Sequence, residues 1–375
     1  MSFDSGRVGF RLFYLREQYD SSLVEKFARC VAPPVSSITD EPITGWVTGK
    51  HLLDRDITDE RCVIGPYLHV QYMKADKKVP PSYLNAQVKI EEEVEKKARG
   101  VNFLSRAVRA EIKQRVEASL KPQALPTLSG IPVVVDFRNN MLITGALSDQ
   151  NVDKLSPAFK EVAGELPIVV TPETAAMHRK QINAMDLDPV IFTPEETDDS
   201  QKEPSLGMDF LTWLWFNWDR GGGVFHLPDG REAAYMFEGP LTFFRDGEGA
   251  HEALLRKGTP LDSREASAAL LCGKKLKQVK MNLVVDEEII EATVDSDFCF
   301  RSVKLPKSDQ EEPEGEFEER MMNLETLFTA WFDLYDRFLD LRTDSSRWPE
   351  TIREMSQWIL HIGGAQQVLR ARPEA

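Results

Sequence analysis

Apolar residues occupy alternate positions through residues 8–14, and this period of two predicts a half-buried β-strand. A helix is predicted after the strand as far as about Val31, where two prolines follow. A second strand is predicted at residues 67–73, and the basic residues 74–78 are expected to form the turn that closes it. The chain therefore begins with mixed α and β structure.

The longest run of helix-forming residues covers 82–121, and Gly100 divides it into two predicted helices that form a hairpin. Residues 122–130 are predicted to form the tip that follows. The runs 131–136 and 141–146 predict two strands joined by an Asn-Asn turn. The apolar positions in the second half of the helical hairpin recur at helical spacing: Val101, Leu104, Val108, Ile112 and Val116.

A helix predicted at 152–163 and a strand at 167–170 complete a first lobe, which spans residues 1–192. Residues 193–205 contain two prolines and no large apolar residue, which is typical of a solvated linker. A second lobe is therefore predicted over residues 206–307.

The second lobe has a helix predicted over residues 261–272, with Asp262 as its cap and Gly273 at its end. Three strands are predicted after this helix, because short apolar runs alternate with turn residues. These strands cover residues 277–285, 288–294 and 298–305.

Residues 210–218 carry a dense group of aromatic side chains, for which two interpretations are open. Aromatic rings form platforms on which the bases of single-stranded nucleic acid stack. Here the apolar residues cover nearly the whole predicted helix and no Lys or Arg lies among them, which favours burial or a subunit contact. The residues are Phe210, Leu211, Trp213, Leu214, Trp215, Phe216 and Trp218.

An acidic stretch, residues 308–316, contains a proline and a glycine and is predicted to be an extended connector. Residues 317–375 are predicted to be helical, because large apolar residues recur every three or four positions. This stripe consists of Phe317, Met321, Leu324, Phe328, Trp331, Tyr335 and Phe338. The predicted fold class is α+β, with two mixed α/β lobes, antiparallel hairpins, a long basic helical hairpin and C-terminal helices.

The composition is that of a soluble globular protein. The chain has 375 residues, which exceeds the usual size of a single core, with 42% hydrophobic and 29% charged residues. No apolar run is long enough to cross a membrane, and residues 1–4 lack the features of a signal peptide. We therefore expect a cytoplasmic protein with no membrane partner.

Motifs for catalysis or metal binding are weak. The four cysteines lack CxxC spacing and the six histidines fall singly, so neither a disulfide framework nor a zinc site is indicated. The glycine-rich pieces lack the spacing of a phosphate-binding loop, and residues 221–223 are predicted to form a turn. No hydrolase signature surrounds a nucleophile. Neither an enzymatic activity nor a bound cofactor is expected.

The net charge of −15 opposes binding to nucleic acid unless positive charge is gathered in one place. Lys and Arg are in local excess at residues 88–121 and, with fewer opposing acids, at residues 253–283. A solvated face of ion pairs explains the first cluster as well as DNA binding does, whereas phosphate contact is favoured for the second. The cations predicted to contact DNA are Lys96, Lys97, Arg106, Arg109, Lys113, Arg256, Lys257, Lys274, Lys275, Lys277 and Lys280.

Two alternative functions remain open from the residues alone. A magnesium-dependent nuclease needs converging carboxylates, and a strand-rich region contains Asp286, Glu291, Asp295 and Asp297. Acidic residues at strand ends are more commonly turn formers. The second alternative is a purely protein-binding regulator, which would not be retained on DNA at low salt.

Several segments resemble the RdgC family in order and spacing, over residues 7–190 and 256–307. In the first lobe they are Gly45-Trp46-Val47, Lys77 to Ser82, the helical hairpin, Pro122 to Ser129, Val133 to Ser148 and Leu166 to Val169. In the second lobe they are Leu261 to Gly273, Lys274 and the strands through Lys307.

This resemblance implies a homodimer closed into a ring, whose basic inner surface encircles double-stranded DNA with little sequence preference. Such a ring would be located on the nucleoid and would limit access of the RecA recombinase, a partner reached indirectly through DNA. Lys274 and its basic neighbours correspond in position to groups that line the ring. The tip Pro122 to Ser129 resembles the segment where a family aromatic approaches DNA or the partner, and Leu125 stands in its place.

Overall fold

The computed structural model describes residues 3–39, 41–192, 205–245, 249 and 251–362. The helices are α1 (Leu23–Arg29), α2 (Asp59–Cys62), α3 (Pro81–Arg99), α4 (Arg106–Leu120), α5 (Asp149–Ala163), α6 (Pro172–Lys180), α7 (Leu206–Gly221), α8 (Arg264–Leu271), α9 (Pro313–Arg342) and α10 (Trp348–Ile362). The strands are β1 (Val8–Tyr14), β2 (Ile43–Thr48), β3 (Val63–Ile64), β4 (Tyr67–Lys77), β5 (Pro126–Asp136), β6 (Met141–Thr144), β7 (Ile168–Val169), β8 (Val224–His226), β9 (Glu232–Phe244), β10 (Glu252–Leu255), β11 (Lys275–Val285), β12 (Glu288–Asp295) and β13 (Phe300–Lys304).

The chain divides into two compact units, each of which contains both helices and strands. The hairpin unit consists of residues 17–137 and 150–166. The sheet unit consists of residues 1–16, 138–149 and 167–375.

The predicted first lobe, residues 1–192, coincides with neither unit, because strands far apart in the sequence pair in one sheet. β1 is antiparallel to β13, with Val8 opposite Val303 and Phe10 opposite Phe300. The prediction grouped elements that are consecutive in the sequence. Pairing between distant strands leaves no periodic signal in either strand, so it could not be predicted. The linker predicted at residues 193–205 lies outside the described residues except for Ser205.

The hairpin unit is built on an antiparallel sheet in the order β5-β4-β2, with β3 added beside β4. Its core contains Phe27, whose ring centroid lies 4.7 Å from that of Trp46 and 6.3 Å from that of Phe159. The turn predicted at residues 74–78 is wrong, because β4 continues through Lys77 and stays paired with β5.

The sheet unit contains a large antiparallel sheet in the order β10-β9-β11-β12-β13-β1-β6, with β8 beside β9 and β7 beside β1. The aromatic helix α7 packs into its core, where the Phe210 ring lies 5.0 Å from both Trp331 and Tyr335 of α9. This confirms the burial interpretation of the aromatic segment, although Trp218 at its end is partly exposed. The apolar stripe predicted for α9 is buried throughout.

Several local boundaries differ from the predicted ones for identifiable reasons. α8 is capped by Ser263, whose side chain accepts a hydrogen bond from Ala266 N, one residue after the predicted cap Asp262. α9 begins at Pro313 inside the predicted acidic connector, because proline is favoured in the first helical turn and Glu314 and Glu316 are stabilised by the N-terminal dipole. The turn predicted at residues 221–223 is confirmed.

The fold is therefore mixed α and β, as predicted in its class. Among the described residues, no helix combines the length and the apolar character that crossing a bilayer requires.

Candidate nucleic-acid interface

The helical hairpin predicted at residues 82–121 is confirmed as α3 and α4. α3 ends at Gly100, which adopts a left-handed conformation (φ 63°) that glycine accepts without steric cost. α4 begins after Ser105, whose hydroxyl accepts a hydrogen bond from Val108 N at 3.3 Å. The two helices share a small apolar core, which contains Leu84, Leu104, Ile112 and Val116. This core leaves the outer faces of both helices to solvent.

Cations on the outer faces of the hairpin fall into two groups. Arg99 and Arg115 are paired with glutamates of the same hairpin, at N–O distances of 2.6 and 3.4 Å. A second group makes no ion pair among the described residues, and all its members are exposed except Lys96, which is half-buried. This group, named the hairpin cations, consists of Lys96, Lys97, Arg106, Arg109 and Lys113.

Helical spacing brings part of the hairpin cations together. Arg106, Arg109 and Lys113 stand at i, i+3 and i+7, which places them on one face of α4. Glu117 follows on the same face, so the positive charge is concentrated toward the N-terminal half of the helix. The arrangement supplies exposed positive charge without an internal counterion, which is what contact with phosphate requires.

Both loops that flank α4 expose a large apolar residue. Leu125, which the resemblance places at the tip, is 86% exposed, and Phe103 in the loop between α3 and α4 is 83% exposed. Sequence reasoning missed Phe103, because it lies beside apolar residues that do belong to the hairpin core. The sequence feature that could have indicated its exposure is an aromatic residue in a polar loop between two helices.

The second cluster loses two of its predicted DNA contacts. Lys275 is 1% exposed, and its ammonium lies 2.7 Å from the Asp209 carboxylate and donates to Val190 O at 2.7 Å. A side chain held in this way cannot reach a phosphate, so the structure removes Lys275 from the predicted set. The sequence could not reveal this, since the acid partner lies on α7, far from Lys275 along the chain.

Lys280 belongs to an ion-pair network on the open face of the sheet. Its ammonium lies 2.7 Å from Glu238 and 3.1 Å from Glu291, and Glu291 also pairs with Lys304 at 2.7 Å. Hydrogen bonds from Lys304 and Lys280 lower the pKa of Glu291 to about 2. The charge of Lys280 is thus already neutralised, which weakens it as a phosphate ligand.

Replacing Glu291 by glutamine is expected to lower the free energy of unfolding by about 1 kcal/mol at pH 7. Because folding lowers the pKa of Glu291, its ion pairs stabilise the fold above about pH 4.5, and this stabilisation is lost as the pH falls towards 2. Urea unfolding followed by circular dichroism at pH 7, 4 and 3 measures the difference. Glu288→Gln is the control, since Glu288 is exposed on the same strand without an ion pair among the described residues. A Glu291→Gln effect that does not shrink at low pH would contradict the assignment.

The other cations of the second cluster remain accessible. Arg256 and Lys257 are exposed and, like the half-buried Lys274, make no ion pair among the described residues. The Lys277 ammonium lies 4.4 Å from the centroid of the Phe244 ring, a cation–π contact that leaves its charge unneutralised. Four of the six cations predicted in this cluster therefore stay accessible, as do the five predicted in the hairpin.

Three of the four carboxylates considered for a magnesium site, Asp286, Glu291 and Asp295, are engaged by basic side chains. Asp286 lies 3.1 Å from Arg231, and Asp295 lies 3.3 Å from Arg301. Burial raises the pKa of Asp297, and the neighbouring Asp295 raises it further. Within the described ranges, no group of three or more His, Cys, Asp and Glu residues is placed to hold a metal ion.

Exposed Lys and Arg residues gathered on one face of a helix are the electrostatic pattern of proteins that contact nucleic acid through phosphates. Comparison with protein families makes this class more specific, because residues 14–182 match the family model described as "RdgC: Putative exonuclease, RdgC". Over residues 14–182 this match supports an RdgC family assignment and, in general terms, a recombination-related DNA-binding protein. No curated protein matches the chain. The likeness noted at residues 256–307 lies outside the matched range.

Proposed function

We propose that the protein binds double-stranded DNA through the hairpin cations, with little dependence on base sequence. The observation that carries this proposal is the exposure of the hairpin cations without acid partners among the described residues, in a chain of net charge −15. Lysine and arginine side chains that neutralise phosphates release counterions from the DNA, and this gain does not depend on base sequence.

The same proposal accounts for the negative charge of the whole chain. Phosphates respond to the local potential, so cations gathered on one surface can attract DNA while acidic residues elsewhere keep the protein soluble. Arg256, Lys257, Lys274 and Lys277 supply a second set of accessible cations.

We further propose that two copies assemble into a ring around the duplex, which would limit the access of a RecA-type recombinase on the nucleoid. The resemblance to RdgC supports this part. The exposed apolar side chains of Phe103 and Leu125 supply contacts for a second copy or for the DNA. Comparison of linear with intact circular duplex separates encirclement from side-on binding. A circular duplex offers no end onto which a closed protein ring can thread, so encirclement would favour binding to the linear form.

A salt titration with matched double variants tests the DNA-binding surface. Arg106→Ala/Arg109→Ala removes two hairpin cations, and it is expected to reduce the slope of log K against log salt by about 1.8 and the affinity at 0.1 M salt by tens of fold. Arg99→Ala/Arg115→Ala makes the same change in net charge but removes arginines that are already paired. Its slope is expected to change by less than about half as much. Equal losses, or no loss in the first variant, would show that the hairpin cations are not the interface.

The family description makes nuclease activity the alternative to binding without cleavage. We propose that DNA is bound and released intact. Incubation of linear and circular duplex with the protein and Mg²⁺, followed by electrophoresis, distinguishes the two. Shortened or nicked DNA, lost on chelation, would establish the nuclease instead. Absence of any retention on DNA at low salt would favour a protein-binding regulator.

A further inference from the structure

A cavity of about 430 Å³ lies in the sheet unit, where β1, the turn before β6, α6 and α9 meet. None of the hairpin cations and none of the cations of the second basic cluster lines the cavity. Its lining includes Tyr14 from β1, Asn140 from the turn, His178 from α6 and Phe332 from α9. A volume of this size accommodates a small ligand of metabolite size.

Three buried polar atoms of the lining make no hydrogen bond of good geometry among the described residues: Tyr14 Oη, Asn140 Oδ1 and Asp333 Oδ2. Asp333 is held in an ion pair with Arg337, which leaves Tyr14 Oη and Asn140 Oδ1 for a ligand, and the Tyr14 side chain is more than nine-tenths buried. The orientation of the Asn140 amide is set by Nδ2, which donates to Leu15 O at 3.0 Å, so Oδ1 is left as an acceptor. Burial raises the pKa of Tyr14 to about 12, although the neighbouring Arg179 guanidinium lowers it, so the hydroxyl stays protonated and can still donate. Buried polar groups are rarely left unsatisfied, and those that are call for a ligand or a bound water.

The turn before β6 fixes the position of the Asn140 side chain. Asn140 has a φ of 53°, a left-handed conformation that asparagine adopts readily in turns.

Four residues of the lining carry flat rings: Tyr14, His178, Phe328 and Phe332. The Tyr14 ring stacks on His178 with a centroid distance of 3.9 Å and an interplanar angle of 12°. The Phe332 ring lies 4.8 Å below the Arg179 guanidinium. Planar groups of this kind favour a planar ligand, since flat surfaces gain the most contact area with one another.

The charges around the cavity disfavour an anion. Arg179 is already held by Asp336 through two hydrogen bonds of 2.8 and 2.6 Å. Asp333 also lines the cavity and is paired with Arg337 at 2.8 Å. An incoming phosphate or carboxylate would meet two carboxylates and no unpaired cation, so an uncharged ligand is favoured.

We propose that this cavity binds a small, uncharged, planar molecule that carries both an N–H donor and a C=O acceptor. The N–H would donate to Asn140 Oδ1, and the C=O would accept from Tyr14 Oη. Nucleobases with a lactam edge, and their nucleosides, have this chemistry, which makes uridine and guanosine suitable probes. This site goes beyond DNA binding, because it contains none of the cations assigned to phosphate contact.

Calorimetric titration of the full chain with uridine and guanosine tests the proposal. Tyr14→Phe removes only the hydroxyl and keeps the stacked ring, and it is expected to weaken binding about three- to tenfold, the effect of one neutral hydrogen bond. Asn140→Gly removes the acceptor while glycine retains the left-handed backbone, and a similar loss is expected. Tyr83→Phe, which changes an exposed tyrosine of α3, is the control and should bind as the wild type does.

Modified probes test the two ligand groups separately. 3-Methyluridine lacks the N–H donor and should bind more weakly than uridine, and uridine 5′-monophosphate should bind no more tightly because of its charge. The proposal is overturned if neither nucleoside binds at about 5 mM, or if Tyr14→Phe and Asn140→Gly both bind as the wild type does. It is also overturned if the methylated or the phosphorylated probe binds better than uridine. For DNA binding, the slope of log K against log salt should be the same for Tyr14→Phe and the wild type. A failure of the nucleoside-binding proposal can therefore be distinguished from a failure of the DNA-binding proposal.

Discussion

Replacing Lys275 by methionine is expected to lower the free energy of unfolding by about 3–5 kcal/mol, because it leaves the Asp209 carboxylate buried without its counterion. Both side chains are 1% exposed, and the Lys275 ammonium also donates to Val190 O. Burial raises the pKa of Asp209, and Lys275 is the main group that opposes this rise, ahead of Arg342 and Ser205. Urea unfolding followed by circular dichroism measures the loss.

Two further variants separate the ion pair from the packing of the side chain. Lys274→Met changes the neighbouring residue, which is only half-buried and unpaired among the described residues, and its effect should stay within about 0.5 kcal/mol. Lys275→Met/Asp209→Leu replaces both charges by apolar groups and should regain much of the stability. If Lys275→Met were no more destabilising than Lys274→Met, the pair would not be a structural element of the sheet unit.

Phe210→Ala is expected to destabilise the sheet unit by about 3–5 kcal/mol, since a large aromatic ring leaves a cavity in a packed core. Phe210 is fully buried, and its ring lies 5.0 Å from Trp331, 5.0 Å from Tyr335 and 6.1 Å from Phe298. Removal of the ring therefore removes the contacts of α7 with α9 and with Phe298, the residue that precedes β13 by two positions. Thermal unfolding followed by tryptophan fluorescence measures it, because Trp331 reports on the same core.

Phe210→Leu is the matched control at the same position. Leucine fills most of the volume but makes no aromatic pairs, so a loss of about 1–2 kcal/mol is expected. Equal effects of alanine and leucine would indicate that ring–ring contacts, and not the filled volume, dominate this core. A negligible effect of Phe210→Ala would mean that α7 is not part of the core, and the aromatic segment would again be open to interpretation as a binding surface.

Lys275 and Lys280 show why a count of charges along the sequence misjudged the second basic cluster. The acids that neutralise them, Asp209, Glu238 and Glu291, lie on α7, β9 and β12. None of these acids lies within residues 253–283 of the sequence, and only the folded sheet brings them next to the two lysines. The hairpin escaped this error, because its two helices are neighbours in the sequence and the acids that pair with Arg99 and Arg115 belong to the same hairpin.

The sequence by itself determined the local structure of this protein: the first strand, the helical hairpin broken at Gly100, the buried stripe of α9 and the three strands β11 to β13. These elements follow from periodicity and from turn residues, which act over a few positions. Only the tertiary structure decided that β1 pairs with β13, that Lys275 is buried against Asp209, and that Tyr14 and Asn140 line one cavity. Each of these depends on which distant residues meet in space, and such meetings leave no pattern in the neighbourhood of either partner.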